Sequence, residues 1–383
     1  MKLWNTMLAA PILLIAASAS AQNARPLVEP KIPQTCTTIV AELAPHDGTL
    51  PDAEERSHRD NARIEQALAS CPQGKAVVLR AGKDGRNVFL IAPMHLHANV
   101  VLVVEANVAV WASRDPREYD VQPGSCGLVA EKRGPGCKPL LLAEDAPHSG
   151  LMGEGVIDGR GGAKLLGGTE TWWELAHRAK VEDANQAVSR VLVVRRSNDF
   201  TLFGITIRNS PNCHVTIEQT DGFTAWGVKL DTPKWARNTD GIDPQMGSKN
   251  ITIIHSFLRT GDDNISPKST DTSGPVMNMT VRDVHFYNGH GFGIGSQTSG
   301  GLSHIFAEDI SIDGSDNGLR IKSDRSRGGL VHDVTFAKVT SWTSPPRLRS
   351  LLMRRPLSLP SMLMSSARMC ERPPLVWLPI PKP

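Results

Sequence analysis

The most regular feature of the chain is a short run of alternating apolar and polar residues that recurs through its second half. Runs begin near Asp199, Gly222, Asn250, Asn278, His304 and Asp333, at intervals of 23, 28, 28, 26 and 29 residues. Several share an opening, as in Phe200-Thr201-Leu202, Ile251-Thr252-Ile253 and Met279-Thr280-Val281, and they end in Gly, Asn or Asp. Apolar side chains at every second position predict strands with one buried face. A period between about 20 and 50 residues signals a stack of like units. Strands joined by turns, with no helices between them, predict an all-β solenoid, a parallel β-helix. A β-sandwich also has many short strands, but its turns recur about every 8–12 residues without a longer repeat.

Earlier in the chain, short β runs fall at Ala76–Leu79, Val100–Val104 and Val108–Val110. Ile64, Ala67 and Leu68 lie at helical spacing behind the acids Asp52, Glu54 and Glu55, which predicts one short amphipathic helix over 53–70. That helix is expected to cap the first coil, since a solenoid end exposes unpaired strand edges. Trp172-Trp173-Glu174-Leu175-Ala176 predicts a local helical excursion.

Composition adds a compartment. Lys2, the apolar run Leu8–Ala17 and the small residues Ala19-Ser20-Ala21 form the pattern of a secretory signal over 1–21, with the mature chain starting near Gln22. The run is about half the roughly 20 residues that a membrane span needs, so the mature form is expected outside the cell and off the membrane. Export permits disulfides. Cys126 with Cys137 and Cys36 with Cys71 are the expected pairs, and Cys213 is expected as a buried free thiol. No Cys-x-x-Cys spacing suggests a zinc site.

The net charge of +3 is unevenly spread. Residues 345–383 hold seven Lys/Arg and one acid, Glu371, so they carry +6 and the rest carries 3 − 6 = −3. The basic balance therefore gives no reason to expect nucleic acid as a partner.

Polar residues at the ends of successive runs suggest chemistry. Residues one coil apart stack about 4.8 Å from each other on one face. Asn238-Thr239-Asp240 is followed 22 residues later by Gly261-Asp262-Asp263. His290 lies 28 residues after Asp262, and Arg320-Ile321-Lys322 begins 30 residues after His290. Three carboxylates, an imidazole and two cations thus recur at coil spacing. Cutting a glycosidic bond needs one acid to protonate the leaving oxygen and another to activate water on the opposite face. Clustered carboxylates raise one another's pKa, which keeps one protonated. Arg320 and Lys322 are two residues apart and share a strand face, where they suit a sugar carboxylate. Each piece has a plainer reading: a solvated Asp-Asp turn, a Ca²⁺ site on a secreted solenoid, a turn histidine, or surface ion pairs.

Asn238-Thr239-Asp240-Gly241, Gly261-Asp262-Asp263-Asn264, Gly289-His290-Gly291 and Arg320-Ile321-Lys322 resemble, in order and spacing, the four motifs of polygalacturonases, glycoside hydrolase family twenty-eight. Gly153-Glu154-Gly155-Val156-Ile157-Asp158-Gly159 and Asn209-Ser210-Pro211 also resemble family features, and the similarity runs from about Pro33 to Trp342. It is closest to bacterial secreted enzymes. The resemblance implies a right-handed parallel β-helix and an inverting hydrolase of α-1,4-galacturonosyl links, with pectin or polygalacturonate as its partner. By motif, Asp262 is the proton donor, Asp240 and Asp263 position and deprotonate water, and His290 tunes the acid. Arg320, Lys322 and Asn238 bind substrate. The family implies no metal or cofactor, and a monomer is expected.

The stretch 345–383 departs from the pattern. It has nine Pro, no Gly and no Asn, while all 33 Gly precede it. Turn-dense coils cannot continue through such sequence. The expected organisation is therefore a signal at 1–21, a β-helix domain at 22–344 and an atypical Pro-rich tail at 345–383, either a diverged linker or the product of a reading-frame change. Two alternatives follow for function: an inactive carbohydrate-binding relic lacking its last coils, or a hydrolase of rhamnogalacturonan. A Ca²⁺-dependent lyase fits less well, because the adjacent acids come with Gly-His-Gly and Arg-Ile-Lys.

Overall fold

The computed structural model describes residues 27–270, 273–323 and 327–341. The expected signal at 1–21, the tail at 345–383 and Cys370 lie outside the described residues. Three parallel sheets wind into a right-handed β-helix. The first stacks Thr35–Val40, Lys75–Arg80, Val100–Val104, Gly150–Met152, Phe200–Phe203 and Asp221–Trp226 in register. The second stacks Val88–Ile91, Ala109–Ala112, Val156–Asp158, Thr206–Arg208 and Lys229–Asp231. Beyond these, Lys249–Thr260, Val276–Asn288, Leu302–Asp313 and Val331–Ser341 run through both sheets as single bent strands.

The third sheet stacks Met94–Leu96, Leu141–Glu144, Leu192–Arg195, Val215–Glu218 and Ile242–Gln245. Single bridges from Ile242 to Ile265 and from Ile265 to Phe292 continue it to Phe292–Gly295 and Leu319–Lys322. Apolar residues of each row point into one core. Phe200 stacks on Phe223 at 6.1 Å, and Leu202, Ala225, Ile253, Val281 and Ala307 form an inner column with no exposed surface.

The period-two pattern places the strands, and a second local device places the corners. Asp199, Asn250, Asn278, His304 and Asp333 all have φ between 51° and 58°. Asn and Asp tolerate this left-handed region better than most residues, so the residues that open the repeats also turn the chain.

Two expectations need correction. The helix over 53–70 is in fact two, α1 (Asp52–Ser57) and α2 (Asn61–Ser70). Asp60 breaks it: its amide donates to the Leu90 carbonyl at 2.8 Å, and its carboxylate accepts from the Leu90 amide at 2.6 Å. A backbone tied to a neighbouring strand does not complete a helical ladder. Ile64 and Leu68 of α2 are buried in the main core with Val77 and Leu79. The run at 108–110 begins one residue later, as Ala109–Ala112. Both expected disulfides form, and Cys213 is free and buried.

The excursion at Trp172 is α3 (Trp172–Val181), opened by a capping box between Thr171 and Glu174. It packs on a hairpin of Leu128–Ala130 and Asn185–Ala187. No helix among the described residues is long and apolar enough to cross a membrane.

Candidate active site

The acids and cations gather on the outer face of the third sheet. Ile242, Ile265, Phe292 and Leu319 share one inward register, so the residues after them, Asp243, Ser266, Gly293 and Arg320, form an outward column. Two positions further along each row come Gln245, Lys268, Gly295 and Lys322. Asp240, Asp263 and His290 stand at the turns that lead into these rows.

Asp263 is the hub. Arg320 Nη2 donates to its Oδ1 at 2.5 Å, Lys322 Nζ donates to Oδ2, and Ser266 Oγ donates to Oδ2 at 3.0 Å. Register sets Arg320 beside Gly293 and Lys322 beside Gly295. With no side chain at either glycine, both cations reach past that row. Arg320 and Lys322 therefore hold an internal carboxylate in the free protein, and the Arg320 Nε is buried without a partner.

Asp262 faces His290, whose Nδ1 lies 3.1 Å from Oδ1. Burial works against the Asp262 charge, yet the hydrogen bond and charge of His290 bring its pKa down to about 2. The same hydrogen bond raises His290 above its ordinary value, against the effect of burial. On the far side of the ring, Nε2 lies 3.6 Å from Asp316.

Asp240 is buried, and its Oδ2 accepts from Lys268 Nζ at 2.9 Å. The same ammonium donates to Asp243 Oδ2 at 2.5 Å. Burial pushes the Asp240 carboxyl well above the usual range; Asp243 adds to the push and Lys268 opposes it. Asp243 is also raised by burial, against the pull of Lys268. Burial favours neutral Lys268, but Asp243 and Asp240 outweigh it and raise its pKa.

Asn238 is half-buried with φ +58°, and its Oδ1 accepts from Gln186 Nε2 at 3.0 Å. Gln186 belongs to the hairpin under α3, so that excursion braces Asn238. Ligand atoms of Asp262, Asp263 and His290 lie within 4.8 Å of one another, close enough for a metal ion. The two cations on Asp263 would repel one there.

Sequence reasoning missed Asp243, Lys268, Gln186 and Gly293. For Lys268 and Asp243 a signal existed: each falls in an outward column with Lys322 or Arg320 once the coil offset is applied.

Acids and cations gathered on the outside of a parallel β-helix are the parts that a glycoside hydrolase needs. Residues 121–341 match the model of glycosyl hydrolases family 28. The chain is 41% identical to an endo-polygalacturonase of Pectobacterium parmentieri over 85% of this chain and 76% of that one. It superposes on the polygalacturonase from Erwinia carotovora ssp. carotovora with a TM-score of 0.76 and 39% identity, covering 83% of this chain and 80% of that chain. A hyperthermoactive exopolygalacturonase from Thermotoga maritima shares the fold at TM-score 0.64 and 22% identity, covering 82% and 74%. The chain belongs to glycoside hydrolase family 28.

Proposed function

We propose that this protein hydrolyses α-1,4-galacturonosyl links in polygalacturonate with inversion at the anomeric carbon. What supports the reading is an acid–imidazole pair, two further carboxylates and two cations gathered on neighbouring coils of one sheet face. The names of its relatives point to the same substrate.

Asp262 and His290 act together as the acid. The pair holds one proton, which rests on His290 in the free protein because Asp262 titrates near 2. A bound galacturonate is negative and displaces water, and both effects disfavour ionised Asp262. The proton then moves across the 3.1 Å contact and on to the leaving oxygen. Asp240 and Asp263 hold the attacking water on the other face. Arg320 and Lys322 have donors beyond those spent on Asp263 and take the sugar carboxylate. Asn238 lines the wall that binds a neighbouring sugar. The cations supply the positive charge that a metal would otherwise bring.

The domain is taken as 22–344, released outside the cell after loss of 1–21 and acting as a monomer. Two disulfides suit that oxidising setting. The deciding test is a product assay on the purified mature chain. New reducing ends from polygalacturonate, insensitive to chelator and without unsaturated product, are expected, with inverted anomers by proton NMR. Unsaturated ends would make it a lyase. Binding without cleavage would make it a carbohydrate-binding relic.

A further inference from the structure

Inversion needs one base for the attacking water, and two carboxylates stand ready to serve. Their surroundings differ. Asp263 spends both oxygens on Arg320, Lys322 and Ser266. Asp240 spends only Oδ2, on Lys268. Among the described residues no hydrogen bond reaches Asp240 Oδ1. Lys268 is itself nearly enclosed, with its side chain 19% exposed, and it is shared with Asp243, which is 2% exposed and whose Oδ1 is buried without a partner.

We infer that Lys268 is a positioning residue that makes Asp240, and not Asp263, the base of the reaction, by fixing one oxygen of Asp240 and supplying a charge that favours the carboxylate form where burial opposes it. The inference rests on the hydrolytic reading above and deepens it. As the water O–H bond breaks, its proton goes to Asp240 Oδ1. The water oxygen bonds to the anomeric carbon, the glycosidic C–O bond breaks, and the leaving oxygen takes the proton of the Asp262–His290 pair. Atoms and charge balance, and no oxidant or metal takes part.

Asp243 sets the strength of the effect. Two buried carboxylates share one ammonium, so with both ionised the trio carries one net negative charge. Asp243 competes for Lys268 and repels charge on Asp240. The other charged or titratable groups facing this trio are Asp262 and Asp263 on the next coil, Arg190 and the Cys213 thiol, while His214 Nδ1 meets the Asp240 carbonyl.

The test compares Lys268→Met, Lys268→Arg, Asp243→Asn and the double variant Lys268→Met/Asp243→Asn in the full chain. The kcat/KM–pH profile on oligogalacturonate is measured for each, with carboxyl titrations followed by ¹³C NMR on Asp-labelled free protein. A base must be ionised, so activity falls as pH drops through its pKa. Lys268→Met removes a stabilising cation, and the acidic limb should move upward by about one pH unit or more. Asp243→Asn removes a repelling charge, and the limb should move downward. The double variant should return toward the parent, and Lys268→Arg should keep the parent limb while losing kcat. If Lys268→Met does not fold, Asp243→Asn and the double variant decide. A limb that stays put in every folded variant overturns the inference, as does an unshifted Asp240 resonance. The NMR titration needs no turnover, so it decides the role of Lys268 even if the chain proves not to cut polygalacturonate.

Discussion

A Cβ placed on Gly293 would stand 2.7 Å from Oδ1 of Asp263, inside ordinary contact distance. The backbone there would accept alanine; the carboxylate would not. Gly293→Ala should push Asp263 away from Arg320 and lower kcat on the order of 10²-fold, the scale of a 1 Å misplacement in a site. Steady-state kinetics beside an unchanged circular dichroism spectrum would establish it. Asp262→Asn should cost about 10²–10⁴-fold in turnover, the usual worth of general acid help, while oligogalacturonate still binds. Near-normal turnover would reassign the proton donor. His290 gives a pH signature. Its raised pKa marks the upper limit at which the pair keeps its proton, so the basic limb of activity should fall as pH rises through that value. Removing the ring by His290→Ala should pull that limb to lower pH.

Across each strand, the corner residue matters as much as the buried face. Asn278 has φ +58°, and its Nδ2 donates to Asn250 Oδ1 at 3.2 Å. A β-branched side chain strains in that region, so Asn278→Val should cost roughly 1–2 kcal/mol, with Asn278→Gly costing clearly less. Urea unfolding of the two variants separates backbone strain from the lost amide contact. These corners explain what was legible. From Asp199 onward no long insertion parts the rows, and the repeat shows in the letters alone. Before it, first-sheet rows open at residues 35, 75, 100, 150 and 200. Their intervals of 40, 25, 50 and 50 include α1, α2, α3 and the hairpin, which hide the coils. The motif acids stood out because they sit at turns in short polar runs. Lys268 did not, because its meaning lies in what it touches one coil back. Asp60 ended a helix through a partner 30 residues away, which helical spacing does not encode.

At the scale of the whole molecule, a nearly continuous core runs through every coil, and each layer leans on its neighbours. The disulfides join residues 35 and 11 positions apart, at the N-terminal end and around the first strand of the hairpin. Breaking one should cost about 2–4 kcal/mol, so reductant should lower the melting temperature and loosen the α2 end most. Hydrogen exchange with and without reductant would map where the loss begins. The candidate site draws on four consecutive turns of this stack, from Asp240 to Lys322, and its cations Arg320 and Lys322 reach back across Gly293 and Gly295. A ribosome delivers those turns in order, Asp263 before Arg320 and Lys322. The nascent chain thus carries Asp263 without the two cations that hold it until the row of Arg320 has docked, so a molecule stopped short of that row has an incomplete site.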